Sequence, residues 1–234
     1  MKAGSRRPTA AVWLALLVMI DLAGGCARRP PDPNDAYRDP RIGVADWRRL
    51  FESPGRGEIY EARAEIVRLA AVTPGMSVAD VGAGTGLFTM MLSDAVGPDG
   101  RVFAEEVVDR FTRYIAERAE YERRFNVVSV AGTELGVGLP PSSIDLAFLC
   151  DVYHHFDQPQ AMLASIRRAL RPDGQVFLVD FRREPGRSPS WVFAHVRATE
   201  AEVIAEIEHA GFVAIAVDHH LRDSYAVRFR RARD

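Results

Sequence analysis

The 234-residue sequence is poor in cysteine and has no long apolar run. Its two cysteines, Cys26 and Cys150, are too few for a disulfide framework or a cysteine-rich zinc site. The longest N-terminal apolar run, residues 10–20, has 11 residues, whereas a transmembrane helix needs roughly 20. The formal net charge of −2 gives no general reason to expect a polyanionic partner, so we expect no nucleic-acid binding. With 47% hydrophobic residues, the chain can bury one substantial core.

The first residues have the pattern of an export signal. Lys2, Arg6 and Arg7 precede the apolar run, and small residues lead to Cys26. This arrangement resembles a bacterial lipoprotein signal, in which the cysteine is lipidated and becomes the mature N-terminus. We therefore expect residues 1–25 to be a signal peptide, and the protein to be exported as a periplasmic or membrane-anchored lipoprotein attached through lipidated Cys26. An uncleaved anchor, or a misplaced start codon upstream of a cytoplasmic protein, are the alternatives.

Residues 26–45 form a segment rich in Pro, Asp and Arg. Such a composition buries too little apolar surface to offset the entropy of ordering. The segment is therefore predicted to be an extended linker, followed by one globular domain over residues 46–234.

From residue 46 onward, helical and strand patterns alternate. The predicted strands are residues 76–81, 101–104, 127–130, 144–150, 176–181, 213–217 and 225–229. The predicted helices are residues 58–71, 87–96 and 158–170, one that opens at Asp109, and one that runs from a capping box at Thr199 and Glu202 to Gly211. Strands that are apolar on both faces and separated by helices indicate a parallel sheet covered on both sides. We predict a doubly wound α/β fold with a mostly parallel, seven-stranded sheet and an antiparallel C-terminal strand, with ligands beyond the C-terminal strand ends.

A glycine loop follows the first predicted strand and leads directly into a helix. Its residues are Gly82, Ala83, Gly84, Thr85 and Gly86. Glycines here let the chain turn sharply and let a ligand approach without a clash with a Cβ atom. Dinucleotide sites need the spacing G-x-G-x-x-G, and here the third glycine comes one residue early. That spacing, together with the absence of a Tyr-x-x-x-Lys pair from the predicted helices, disfavours a nicotinamide-dependent oxidoreductase.

Two acidic positions accompany this loop. Asp80 lies in the first strand, and Glu106 ends the second strand, after Glu105. A carboxylate at the tip of the second strand can accept both hydroxyl protons of a ribose. Glu106 fits the usual register better than Glu105, and a solvated acid near a helix start is the alternative.

These segments together resemble a known family. They are residues 78–86, residues 100–106, Leu139-Pro140 before residues 143–146, and residues 170–174 before a strand. In combination they resemble the class I S-adenosylmethionine-dependent methyltransferases over roughly residues 47–230. More narrowly, the chain is similar to bacterial predicted methyltransferases that carry export signals and an Asp-Val-Tyr-His-His sequence, which here is residues 151–155. The resemblance implies a Rossmann-like fold, S-adenosylmethionine as the cofactor, and methyl transfer to an O, N or C acceptor, most simply a small molecule.

The resemblance also implies a set of binding residues. The cofactor-binding positions are Asp80, Gly82, Ala83, Gly84, Gly86, Glu106, Thr133 and Asp151. Of these, Thr133 occupies the position that contacts adenine in the family, where an aspartate is common. A negative charge at Asp80 suits a cofactor that carries a sulfonium and has no phosphate.

His154 and His155 follow the fourth strand and are the candidate catalytic residues. Histidine accepts a proton near neutral pH, so either could act as a general base. Alternatively, they cap or pack beneath the next helix, and positioning alone supplies the rate. We predict no metal site, because adjacent residues rarely point at one ion. The segment with Trp191, Phe193 and His195 either covers an acceptor pocket or packs as a loop against the sheet.

The sequence thus predicts a methyltransferase. The alternative is a non-catalytic lipoprotein that binds an adenosyl ligand or a protein partner, because export would place the domain where the supply of S-adenosylmethionine is doubtful.

Overall fold

The structure of the protein is a computed structural model that describes residues 34–233. The predicted signal peptide, the lipidation of Cys26 and the first part of the predicted linker lie outside the described residues. Within residues 34–233, no helix is both long enough and apolar enough to cross a membrane.

The centre of the fold is a seven-stranded sheet with the order β3-β2-β1-β4-β5-β7-β6. Its strands are β1 (Ser77–Val81), β2 (Arg101–Glu106), β3 (Val127–Ala131), β4 (Ile144–Cys150), β5 (Leu170–Phe181), β6 (Phe212–Asp218) and β7 (Ser224–Arg231). The pairs β2–β3, β1–β2, β1–β4 and β4–β5 are parallel, whereas β7 runs antiparallel to both β5 and β6. The predicted mostly parallel, Rossmann-like sheet with an antiparallel C-terminal strand is confirmed.

Nine α-helices surround this sheet within the described residues. They are α1 (Asp35–Arg38), α2 (Val44–Phe51), α3 (Glu58–Glu61), α4 (Arg63–Leu69), α5 (Leu87–Val96), α6 (Asp109–Tyr121), α7 (Pro159–Ala169), α8 (Ser190–His195) and α9 (Glu200–His209). The single helix predicted over residues 58–71 is divided in two, because Ala62 leaves the helical region with φ −90° and ψ 9°.

The sheet separates two apolar clusters. On one side, side chains of α7 and α9, such as Leu163 and Ile207, pack against β4 and β5. On the other side, Ile66 of α4 and Leu92 of α5 pack against Phe148 of β4. Burial on both faces explains the nearly continuous apolar sequence of the central strands, and it leaves the strand ends as the place for polar groups.

The end of the predicted extended linker is folded instead. Residues 35–38 form α1, and α2 already begins at Val44. The ring of Tyr37 stacks on Trp47 with centroids 4.7 Å apart, and Trp47 is buried. An extended chain up to residue 45 is therefore not found at residues 35–38 and 44–45, which are helical, because the stacking of Tyr37 on the buried Trp47 offsets an otherwise polar composition.

The predicted turn at residues 172–174 lies within the bounds of β5. Pairing with β4 is irregular there, since Ile144 pairs with Leu170 but Leu146 pairs with Gln175. The Pro-Asp-Gly sequence is thus accommodated as an interruption of the ladder, as expected for a residue such as proline that has no N–H to donate.

Candidate functional site

A cavity lies where β1, β2 and β4 end. The space between its walls, including the part that is open to solvent, is about 1090 Å³. The predicted site residues that line it are Asp80, Gly82, Ala83, Gly84, Glu106, Asp151 and His155. Three other predicted residues, Gly86, Thr133 and His154, are absent from the lining. The carboxyl ends of the strands therefore form the site, as the doubly wound topology predicts.

The glycine loop approaches the end of β4 very closely. Gly82 has a φ of +66°, and a Cβ atom there would overlap the side chain of Val152. The backbone N–H of Gly84 donates to Glu106 Oε2 at 2.9 Å. Gly86 is the left-handed N-cap residue of α5, with φ +83°, so its conformation starts the helix behind the cavity wall.

Glu106 is anchored by backbone amides on both sides. Besides Gly84, the N–H groups of Val107 and Val108 donate to its Oε1 at 2.8 and 3.0 Å. Burial raises the pKa of Glu106, and these backbone hydrogen bonds oppose the rise. The anchoring holds the carboxyl group at the cavity wall, where its Oε2 retains a lone pair for a further donor.

The cavity wall is acidic beyond Glu106. Thr89 Oγ1 donates to Asp80 Oδ2 at 2.5 Å, while burial raises the pKa of Asp80 to about 7. Burial and the nearby Glu106 raise the pKa of Glu105 to about 8. Glu105 accepts one backbone N–H, from Gly82 at 3.2 Å. These clustered carboxyl groups do not easily ionise at the same time. A positively charged ligand would stabilise their charged forms and is therefore favoured.

The residue after Thr133, and not Thr133 itself, reaches the cavity. Thr133 is exposed, and its Oγ1 accepts the N–H of Leu135 at 3.2 Å in a local turn. Glu134 lines the cavity and pairs with Arg38 at 2.5 Å. The family resemblance indicated the correct loop, but the turn places Glu134 and not Thr133 at the cavity.

The segment before β1 forms a further wall that the sequence did not predict. Its cavity-lining side chains are Asn34, Tyr37, Arg38, Phe51 and Arg56. Arg56 donates a hydrogen bond to Asp151 Oδ2, and its guanidinium lies 4.5 Å from the centre of the Phe51 ring. These residues form no motif in the sequence, and only their long-range contacts reveal them.

His154 and His155 lie in a 3₁₀ turn and have different surroundings. His154 is buried, its Nδ1 is 2.7 Å from Asp180 Oδ1, and its backbone N–H donates to Asp180 Oδ2 at 3.2 Å. Although burial opposes it, Asp180 raises the pKa of His154. Burial, together with His154 and His195, lowers the pKa of His155 well below its usual range. His155 lines the cavity, so it is the member of the pair that can meet a ligand there.

The segment around α8 brings a third histidine to this pair. The ring centroids of His195 lie 4.9 Å from those of both His154 and His155. Trp191 packs edge-on against Phe181 at the end of β5, with centroids 5.0 Å apart. The segment therefore packs on the end of the sheet, and it adds His195 to the group at the end of β4.

Comparisons with known proteins agree with this fold. Residues 79–178 match the family model described as a methyltransferase domain. A demethylmenaquinone methyltransferase of Listeria welshimeri is 25% identical over 118 residues, which are 50% of this chain and 50% of that protein. This chain thus spans about half the length of the curated relatives it matches.

Solved structures are similar over more of the chain. An S-adenosylmethionine-dependent methyltransferase from Aquifex aeolicus is similar with a TM-score of 0.71 and 23% identity, over 82% of this chain and 100% of that one. The [4+2]-cyclase SpnF is similar with a TM-score of 0.64 and 14% identity, over 79% of this chain and 86% of that one. Residues 79–178 therefore match a methyltransferase-domain model, and the chain has the Rossmann-like fold of these solved structures.

Proposed function

We propose that the protein transfers the methyl group of S-adenosylmethionine to an O, N or C atom of a small-molecule acceptor. The observation that carries the proposal is Glu106, a carboxyl group held by three backbone amides at the end of β2 and facing the cavity beside the glycine loop. The match to a methyltransferase domain, which includes both the loop and Glu106, supports it.

The residues present fit this cofactor. Glu106 would accept hydrogen bonds from the ribose hydroxyls, and the backbone of Gly82 and Gly84 would lie against the methionine end. The acidic wall with Asp80 and Glu105 would favour the positive charges of the sulfonium and the ammonium, since both carboxyl groups are buried. Asp151, at the end of β4, would lie between the cofactor and the acceptor.

The cofactor supplies an activated methyl group on a sulfonium, which leaves as a neutral thioether. The protein has to align the acceptor with that methyl group and exclude water, and such positioning can supply a large share of the rate. An acceptor that loses a proton needs a base, and His155 lines the cavity. Burial lowers the pKa of His155, which keeps the imidazole unprotonated but makes it a weak base. His154 is held by Asp180 behind it, so we assign His154 a positioning role.

Likeness of fold does not carry this proposal. The structurally similar SpnF is a [4+2]-cyclase, so the same architecture accompanies a different activity there, and function has to be argued from the site.

Titration calorimetry with S-adenosylmethionine tests the cofactor assignment. Glu106→Gln keeps the shape of the side chain but weakens its acceptor capacity for two hydroxyl groups. We expect at least a tenfold loss of affinity, because hydrogen bonds to a charged group contribute about 1.5–3 kcal/mol. Glu120→Gln, on an exposed position of α6, is the matched control and should bind as the unaltered protein does. Equal affinity for the Glu106 and Glu120 variants would refute the assignment.

A further inference from the structure

Three imidazole rings converge at the carboxyl end of the sheet. His154 and His155 come from the turn after β4, and His195 ends α8. One ring nitrogen of each lies within 4.8 Å of one from each of the others. His195 is 40 positions after His155 in the sequence, and the packing of α8 on the end of β5 brings it to the pair. This cluster is not explained by cofactor binding or by a single general base.

The hydrogen bond between His154 and Asp180 resembles the one that orients a metal-binding histidine. Asp180 lies 2.7 Å from its Nδ1, and both side chains are buried. A carboxylate that accepts the Nδ1–H leaves Nε2 with the lone pair, and such carboxylate–histidine pairs fix the ring of a metal-binding histidine. The orientation of His154 is thus set from behind by Asp180.

Two buried ring nitrogens in the cluster lack a partner. Within residues 34–233, neither Nε2 of His154 nor Nδ1 of His155 has a hydrogen-bonding partner. The side chain of His154 is only 1% exposed, so water does not reach Nε2 freely. A buried polar atom without a partner carries a cost of about 1–3 kcal/mol. An ion bound between the rings would satisfy both nitrogens at once.

The surrounding charges can compensate a divalent ion. Asp151 Oδ1 is 4.0 Å from His154 Nε2, and Asp180 lies on the other side of the same ring. Two nearby cations are themselves paired with carboxylates: Arg56 with Oδ2 of Asp151, and Arg197 with Glu206.

We propose that His154, His155 and His195 form a binding site for a divalent transition-metal ion of the type that imidazole favours, such as Zn²⁺. Three nitrogens at about 2.0–2.1 Å from Zn²⁺ lie roughly 3.3 Å apart in a tetrahedral site. Since the ring nitrogens already lie within 4.8 Å of one another, small side-chain rotations close the site. The sequence expectation of no metal site rested on the adjacency of His154 and His155 and on the few other histidines that remain as partners. The packing of α8 brings one of these, His195, to the pair.

Three protein ligands leave a coordination position open, as in catalytic zinc sites. Because His155 lines the cavity, that position is next to the space for an acceptor. An ion there would hold an acceptor through an oxygen atom and lower the pKa of its hydroxyl group. This role at the acceptor rests on the proposed methyl transfer, whereas metal binding itself does not.

The test is the binding of Zn²⁺ and Co²⁺ to the protein without a polyhistidine tag, at pH 8, after treatment with a chelator. We expect one tightly held ion per chain by elemental analysis, and a Co²⁺ absorption spectrum of a nitrogen-ligated, four- or five-coordinate site. His195→Ala should weaken binding at least tenfold. Asp180→Asn should weaken it by about 10–100-fold while leaving all three ligands in place. His209→Ala, an exposed histidine on α9, is the control and should bind as the unaltered protein does.

Binding that is equal in the His195→Ala and His209→Ala variants, or no stoichiometric ion in the unaltered protein, would overturn the proposal. Thermal unfolding of each variant without metal verifies that it is folded, and His195→Asn replaces His195→Ala if the latter is not. S-adenosylmethionine affinity is measured separately on the metal-free protein, so a failure of the metal site is distinguishable from a failure of the proposed cofactor site.

Discussion

Two buried carboxyl groups beside the glycine loop have raised pKa values. Glu105 and Asp80 are both almost completely buried, and burial raises the pKa of the first to about 8 and of the second to about 7. In an unfolded chain, such groups lose their protons near pH 4. The folded protein therefore retains protons over a pH range in which the unfolded chain has lost them.

This difference predicts how stability depends on pH. Between about pH 4.5 and pH 8, the folded state binds more protons than the unfolded state at Glu105, so the free energy of unfolding contributed by this group falls as pH rises. Glu105→Gln should flatten the dependence, because the amide does not titrate, and Asp80 should leave a residual slope up to about pH 7. Urea unfolding at pH 5, 6.5 and 8 measures the effect.

Glu120→Gln serves as the control for this experiment as well, since Glu120 is exposed on α6. A Glu105→Gln variant with the same pH dependence as the unaltered protein and the Glu120 variant would show that Glu105 carries no proton in the folded state at neutral pH.

Helix α9 shows how local sequence alone can define the start of an element. The predicted capping box is confirmed: Thr199 Oγ1 accepts the N–H of Glu202, and Glu202 Oε2 accepts the N–H of Thr199 at 2.7 Å. Both partners lie within four residues, so the motif needs no tertiary contact to form.

Thr199→Ala should therefore lower the free energy of unfolding by about 1 kcal/mol, because it leaves N-terminal N–H groups of α9 without a side-chain acceptor. For a domain of this size, that corresponds to a decrease in Tm of about 2–4 °C, measured by calorimetry or circular dichroism. Thr73→Ala, at an exposed position in the loop before β1, is the matched control. Equal Tm values for the two variants would contradict a stabilising cap.

At the scale of the whole molecule, contacts beside the cavity connect the segment before β1 with the sheet and its helices. Glu52, at the end of α2, accepts hydrogen bonds from Thr85 of the glycine loop at 2.8 Å and from Arg118 of α6 at 2.7 Å. Arg56 pairs with Asp151 at the end of β4. A ligand in the cavity would thus contact both parts and stabilise them together.

S-adenosylmethionine at 100 times its Kd should stabilise the folded protein by about 2.7 kcal/mol, because it binds only the folded state. The Tm should then rise by roughly 5–10 °C, as measured by differential scanning fluorimetry. NADH at the same concentration is the control, since the early third glycine disfavours a dinucleotide. An equal shift with NADH, or none with S-adenosylmethionine, would contradict the proposed specificity.

Most of the fold could be predicted from the sequence, because its signals are local. The seven strands, their mostly parallel order and the glycine loop follow from apolar runs, turns and spacing, and the structure confirms them. Within the site, Glu106 and Gly82 line the cavity as predicted, because the position of a residue at the end of a strand determines where it lies in a doubly wound sheet.

The tertiary structure alone decided which side chains complete the site. Glu134 lines the cavity and Thr133 does not, because the hydroxyl of Thr133 is engaged in a local turn with Leu135. Arg56 reaches Asp151 across 95 residues of sequence, and His195 joins His154 through the packing of α8. A pattern of a few residues reflects local backbone preferences and the periodicity of burial. Contacts between distant segments depend instead on how the helices and strands pack, and no local pattern encodes them.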